Sequence, residues 1–237
     1  MEEMNPIFWN ISNFDESKVP EFVRSAYLRN LPYFTEFLVG KHPHRKGAVC
    51  PFVPRAILDD AIYFTYFEGG DVDRCSPLIR RCIAFYKNAY KGKFGAVVII
   101  FRDDINMHDL FRVHVENKEI CVRASLMLGV LYKESSAASL HNNDYFPLRT
   151  PTPVLVIRDL VVSDLMFLDP AHYSLSKRCV FLDAFIRRFS GESESSFVAK
   201  QVEAARRLRH EYSLRVFGVR LAIFFSVLLV FAAVLWL

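Results

Sequence analysis

The side chains in this chain best suited to chemistry sit close together in residues 40–54: His42, His44, Arg45, Lys46 and Cys50. A cysteine beside cationic groups has its thiolate stabilised, which suits it to nucleophilic attack or to soft-metal ligation. Two histidines separated by one residue add imidazole nitrogens of the kind zinc takes, although the spacing is not that of a zinc ribbon and no fourth ligand is evident. The same residues also read structurally, with Cys50-Pro51-Phe52 as a small apolar plug and the histidines as caps on local turns. Both readings stay open at this level.

A second patch, Arg158, Asp159, Ser163 and Asp164, follows a short apolar run at residues 153–157. Ligands of α/β folds gather at the carboxyl ends of strands, so charged groups there are placed to bind. An Arg–Asp pair holding a turn is the structural alternative. Asp103 and Asp104 close another apolar run in the same way. His108 and His114 stand six residues apart on one expected helix, hence on different faces. No phosphate-binding glycine loop, Gly-x-Ser-x-Gly elbow or His-Glu-x-x-His pair occurs.

The elements that must position these groups follow from periodicity and punctuation. Residues 20–39 carry apolar positions at helical spacing, interrupted at Pro32. Three prolines and two glycines keep residues 40–54 irregular. Residues 61–67 and 94–101 read as strands, the second apolar enough to be buried on both faces. Residues 76–90 read as a helix with Ser76 as N-cap and Pro77 at the first helical position. Residues 106–132 read as a helix with a break near Asn117, residues 153–157 as a strand and residues 175–189 as a helix. The alternation predicts an α/β (or α+β) single domain with a small mixed sheet covered by helices, plus one C-terminal transmembrane helix.

That last element comes from the residues after 220, where Ser226 is the only polar residue of the final seventeen. Seventeen residues at about 1.5 Å each give about 25 Å, and residues 216–219 supply what a hydrocarbon core of about 30 Å still needs. Residues 197–220 hold six of the chain's Lys and Arg against two Glu, which equals the whole net charge of +4. The basic excess is therefore a collar beside the apolar tail, not a nucleic-acid footprint. By the positive-inside rule it orients the N-terminal domain to the cytoplasm, with Arg220 and Leu221 at one interface and Trp236 at the other. Gly218, Ala222, Ser226 and Ala233 are small enough to allow self-association between tails. The organisation expected is a cytoplasmic α/β domain in residues 1–190, a polar hinge and basic juxtamembrane helix in 191–215, and a tail anchor in 216–237. Five cysteines without paired spacing, Cys50, Cys75, Cys82, Cys121 and Cys179, suit a reducing compartment.

His42-Pro43, Gly47 and Val49-Cys50-Pro51-Phe52-Val53-Pro54, followed much later by Pro153, Leu155, Arg158, Ser163-Asp164 and Phe167-Leu168, together resemble a bacterial family of domains of unknown function. The resemblance covers roughly residues 38–189 and leaves out the tail. The Cys-Pro-Phe segment is also similar to one in the heme-dependent N-oxygenases of the YqcI/YcgG type. That likeness implies heme as cofactor, with Cys50 as its axial thiolate and His42, His44 and Arg45 beside it. Two functions are therefore expected: a tail-anchored sensor, interaction or effector protein whose cytoplasmic domain binds a ligand or partner, or a membrane-tethered heme-thiolate oxygenase acting on a small molecule. The lipid bilayer is the partner common to both.

Overall fold

The computed structural model describes residues 6–92, 94–192 and 195–236, with the side chains of 219, 220, 222, 225 and 227–236 left out. In chain order the elements are β1 (Trp9–Asn10), α1 (Glu21–Pro32), α2 (Val53–Leu58), β2 (Ile62–Tyr66), α3 (Cys75–Ala89), β3 (Ala96–Ile100), α4 (Met107–Arg123), β4 (Leu126–Leu131), β5 (Val154–Asp159), α5 (Leu175–Phe189) and α6 (Ser196–Trp236). The fold is mixed α/β, and the chain parts into two compact units, one holding Met1–Cys121 with Leu126–Asp159 and the other Val122–Ser125 with Leu160–Leu237.

The first unit is built on a five-stranded sheet in the order β1-β2-β3-β5-β4. β2 and β3 run parallel, Ile62 opposite Ala96 and Tyr66 opposite Ile100, joined through α3 in a βαβ unit. β5 lies antiparallel between β3 and β4, with Val154 facing Ile100 on one side and Leu131 on the other. The carboxyl ends of β2, β3 and β4 thus share one edge. Alternation along the strands sends Phe64, Val98 and Ile100 into a cluster with Tyr27 and Phe34 from the α1 side. Phe64 takes Tyr27 and Phe34 edge-on, at 4.9 and 5.6 Å between ring centres. On the other face Tyr63 meets Phe85 of α3 at 5.1 Å. Val97 through Ile100 are fully buried, as a strand covered on both faces requires.

Three expectations change. The stretch read as one helix over 106–132 is α4 followed by β4: the chain turns through Ser125 at φ 61° and pairs Leu126–Leu131 with β5. A short apolar run fits either element by periodicity, and pairing decides it. Asn117 breaks nothing; it is buried inside α4, donating to Val113 O and to Ser76 Oγ, both at 2.9 Å. Ser76 is not the cap: α3 already starts at Cys75, after Arg74, which puts Pro77 at the third helical position. Pro32 does end α1, and a wide turn continues over Tyr33–Phe37.

The second unit is a helical pair. α5 is capped by Ser174, whose Oγ accepts from Lys177 N at 3.3 Å, and packs along α6. Asp169 joins them, accepting from Tyr212 of α6 at 2.6 Å and from Arg178 of α5 at 3.2 Å. Arg209 adds an ion pair to Asp183 at 2.9 Å. α6 then runs on to Trp236. Among the described residues no helix is long and apolar enough to cross a membrane. The tail-anchor expectation, with Arg220 and Trp236, falls largely on side chains outside the described set; Leu221 is within it and exposed.

Candidate functional site

Residues 40–50 form a small irregular hairpin. Val49 N donates to Gly40 O at 2.8 Å, His42 N to Gly47 O at 2.9 Å, and Cys50 N to Leu38 O at 2.9 Å. Gly47 makes the return at φ 92°, a conformation that a side chain would strain. Arg45 fastens the loop from inside by donating to the carbonyls of Lys46, Ala48 and Val49 at 2.6–2.9 Å. Its guanidinium therefore serves the backbone and not the Cys50 thiol.

The long connection from β4 to β5 returns over this hairpin. Tyr33 donates to Pro147 O at 2.7 Å, and the buried Asn30 side chain bonds Thr152 Oγ1 while accepting from Thr152 N at 3.4 Å. A tight turn at Ser139–Asn142 then presents His141 and Tyr145. The His42 ring lies 5.1 Å from Tyr145, 5.5 Å from His141 and 6.1 Å from His44. His44 lies 5.7 Å from Tyr145, and its Nδ1 is 3.4 Å from Asn142 Nδ2. Two imidazoles and one tyrosine thus surround the buried His42, and both of those imidazoles, His44 and His141, are exposed.

His42 Nδ1 accepts from His44 N at 3.0 Å, which leaves the proton of the neutral ring on Nε2. Burial, followed by the nearby Arg45, His141 and His44, holds this imidazole below the ordinary histidine value. Burial pushes the Tyr145 hydroxyl up, with Arg45 opposing, and pushes Tyr33 well above its usual range with help from Cys50 and Tyr145. A neutral, buried imidazole beside two exposed ones can take up and pass on protons, and it titrates with its surroundings. Among the described residues no three His, Cys, Asp or Glu side chains are placed to hold a metal ion.

Cys50 packs with Val49 and Val53 against the Phe64 cluster. A heme-thiolate centre needs a flat apolar slot open in front of the sulfur. A cysteine that fills the wall of a core does not fit that group, and no heme step follows. The three thiols Cys75, Cys82 and Cys121 are fully buried and inert, with burial pushing Cys75 and Cys121 up to about 12.

The second patch is divided between the two units. Arg158 and Asp159 belong to the first unit, Ser163 and Asp164 to the second. Arg158 donates to Asp159 O at 2.8 Å, and Asp159 accepts from the Tyr86 hydroxyl. Asp164 is buried and accepts from Val161 N at 2.9 Å, starting the short turn Val162–Phe167, while Ser163 is exposed. Asp103 is paired with Arg29 at 2.6 Å, and His114 Nε2 meets Leu128 O at 3.0 Å. What sequence reasoning missed is His141 and Tyr145, about a hundred residues from His42. Their only local signal is the polar turn around Asn142.

The family model described as Domain of unknown function (DUF6875) matches residues 29–200, and the chain belongs to that family. The match contains the histidine cluster and stops short of the apolar tail. No curated protein and no solved structure matches the chain, so the likeness to heme-dependent N-oxygenases finds no counterpart there.

Proposed function

We propose that the chain is a single-pass, tail-anchored membrane protein whose α/β domain faces the cytoplasm and binds a ligand or partner there. The observation that carries this reading is the change of character along α6. Its first half buries Val202, Ala205 and Tyr212, whereas Leu214, Phe217, Leu221, Ile223 and Phe224 are all exposed. A helix whose exposed residues become more apolar along its length has surface that favours leaving water. The residues after 226 are apolar without exception, and the six cations of 197–220 stand ahead of them. This arrangement supports insertion with the collar at the anionic cytoplasmic leaflet.

Alkaline washing of membranes from cells expressing the full chain tests the proposal. The chain is expected to stay with the lipid and to be released only by detergent. Replacing Leu228 and Leu229 by lysine costs about 2.5–3.5 kcal/mol each at a helix centre and should release it. Recovery of the unaltered chain in the alkaline supernatant overturns the reading.

A further inference from the structure

The parallel pair β2 and β3 exposes a cleft at its carboxyl edge that the histidine cluster does not use. β2 leaves the sheet into Gly69 and Gly70, both at positive φ, and a Cβ on Gly70 would meet nothing within 4 Å, so the backbone is open there. The chain then enters α3, and between the strand end and the first two turns of that helix lies a cleft of about 260 Å³. Tyr66, Pro77 and Leu78 give it an apolar wall; Arg74, Arg81 and Glu68 supply charge, two cations against one carboxylate. The Arg74 side chain makes no hydrogen bond or ion pair among the described residues, its backbone N–H alone donating to Asp71 O at 3.1 Å, whereas Arg112 pairs with Asp73 at 2.7 Å and Arg102 with Asp104 at 3.3 Å. Its guanidinium is thus a fork of donors without an acceptor.

We propose that this cleft binds a small amphipathic anion, an apolar or aromatic body bearing one carboxylate or phosphate. Guanidinium groups match both oxyanions with two parallel N–H···O bonds, and they do so best beside an apolar wall that keeps water away. Arg74 and Arg81 take the oxyanion, and the body lies on Tyr66, Pro77 and Leu78. The dipole of α3, a 15-residue helix, adds to the attraction at its first turn. Glu68 acts against a second anionic group, which selects ligands with a single oxyanion group over polyphosphates. The volume is at the low end for ligand sites and sets a size limit of about one ring with a short substituent. The site lies within the first unit and is independent of the membrane reading.

Titration of the full chain in a nonionic detergent with phenyl phosphate, phenylacetate, inorganic phosphate and benzyl alcohol, followed by ligand-observed NMR and by Tm, tests this. Saturable binding is expected for the two aromatic anions, at least about tenfold tighter than for inorganic phosphate or benzyl alcohol. The tighter of the two anions identifies the oxyanion. Arg74→Ala is expected to weaken it about tenfold, and Leu78→Trp, which fills the cleft, to abolish it while Tm without ligand is kept. Should Leu78→Trp unfold the chain, Arg74→Ala on the exposed surface still decides. Absence of saturable binding by either aromatic anion, equal binding of inorganic phosphate, or affinity unchanged in Arg74→Ala overturns the proposal.

Discussion

Replacing Asp169 by alanine removes the one carboxylate that holds both Tyr212 and Arg178, so it measures how firmly the start of α6 belongs to the folded protein. Tyr212 is buried, and its hydroxyl donates to Asp169 at 2.6 Å; the Arg178 side chain is only 14% exposed and donates to the same carboxylate at 3.2 Å. A hydrogen bond to a charged group is worth about 1.5–3 kcal/mol, and the buried hydroxyl is left without an acceptor. The Arg178 contact adds less, because the Asp169 side chain is 26% exposed and partly screened by water. The expected cost is about 2–3 kcal/mol, or about 4–12 °C in Tm for a chain of this size. Asp169→Asn, which keeps an acceptor, should cost about 1 kcal/mol less. Tyr212→Phe removes only the donor and should cost about 0.5–1.5 kcal/mol. The assay is thermal unfolding of the four chains of a double-mutant cycle, with hydrogen exchange read over residues 200–215. A coupling of about 1 kcal/mol between Asp169→Ala and Tyr212→Phe is expected, with faster exchange confined to α5 and α6. The hydrogen bond to Asp169 and then burial hold the Tyr212 hydroxyl above its usual value, so its deprotonation should shift downward in Asp169→Ala. Strictly additive losses, or a total below about 0.5 kcal/mol, refute the reasoning.

Three further outcomes follow from the geometry. Because folded His42 is held below the ordinary value of 6.5, the unfolded chain binds a proton there that the folded chain does not. Stability is therefore complete above 6.5 and declines as pH falls from 6.5 toward the folded value. A plot of Tm between about pH 7 and about pH 5 should flatten in His42→Gln, and an unchanged slope speaks against the buried neutral imidazole. Cys75, Cys82 and Cys121 should resist thiol reagents in the native chain and react only after denaturation, read by mass spectrometry after timed labelling; native labelling contradicts their burial. Asn30→Ala should cost about 1–3 kcal/mol by leaving the Thr152 groups without partners. It should also speed hydrogen exchange over residues 147–153, and exchange that stays slow there shows that something else pins the loop.

The elements legible in the sequence are those whose burial pattern and punctuation agree. The continuous apolar run of β3, the helical stretch of α5 and the interruption at Pro32 announce themselves locally. β4 does not, because Leu126–Leu131 is apolar on every position and only its pairing with β5 distinguishes strand from helix. β1 is two residues long and exists because Trp9 pairs with Phe64. The same limit applies to chemistry. His42 and His44 stand out by spacing, but the residues that complete their surroundings arrive on a loop tied down by Asn30 and Tyr33, a tertiary fact with no local trace. Cys50 stands out for the opposite reason: its sequence neighbours are cations, yet Arg45 turns to backbone carbonyls and the thiol turns to the core.

The most direct test of the membrane reading uses Trp236. In the full chain carrying Trp9→Phe, which leaves Trp236 as the only tryptophan, reconstitution into vesicles with brominated acyl chains should quench the emission. Bromine placed near the headgroup end should quench most, and aqueous iodide little. Emission that iodide quenches freely and that no brominated lipid reaches contradicts the tail anchor.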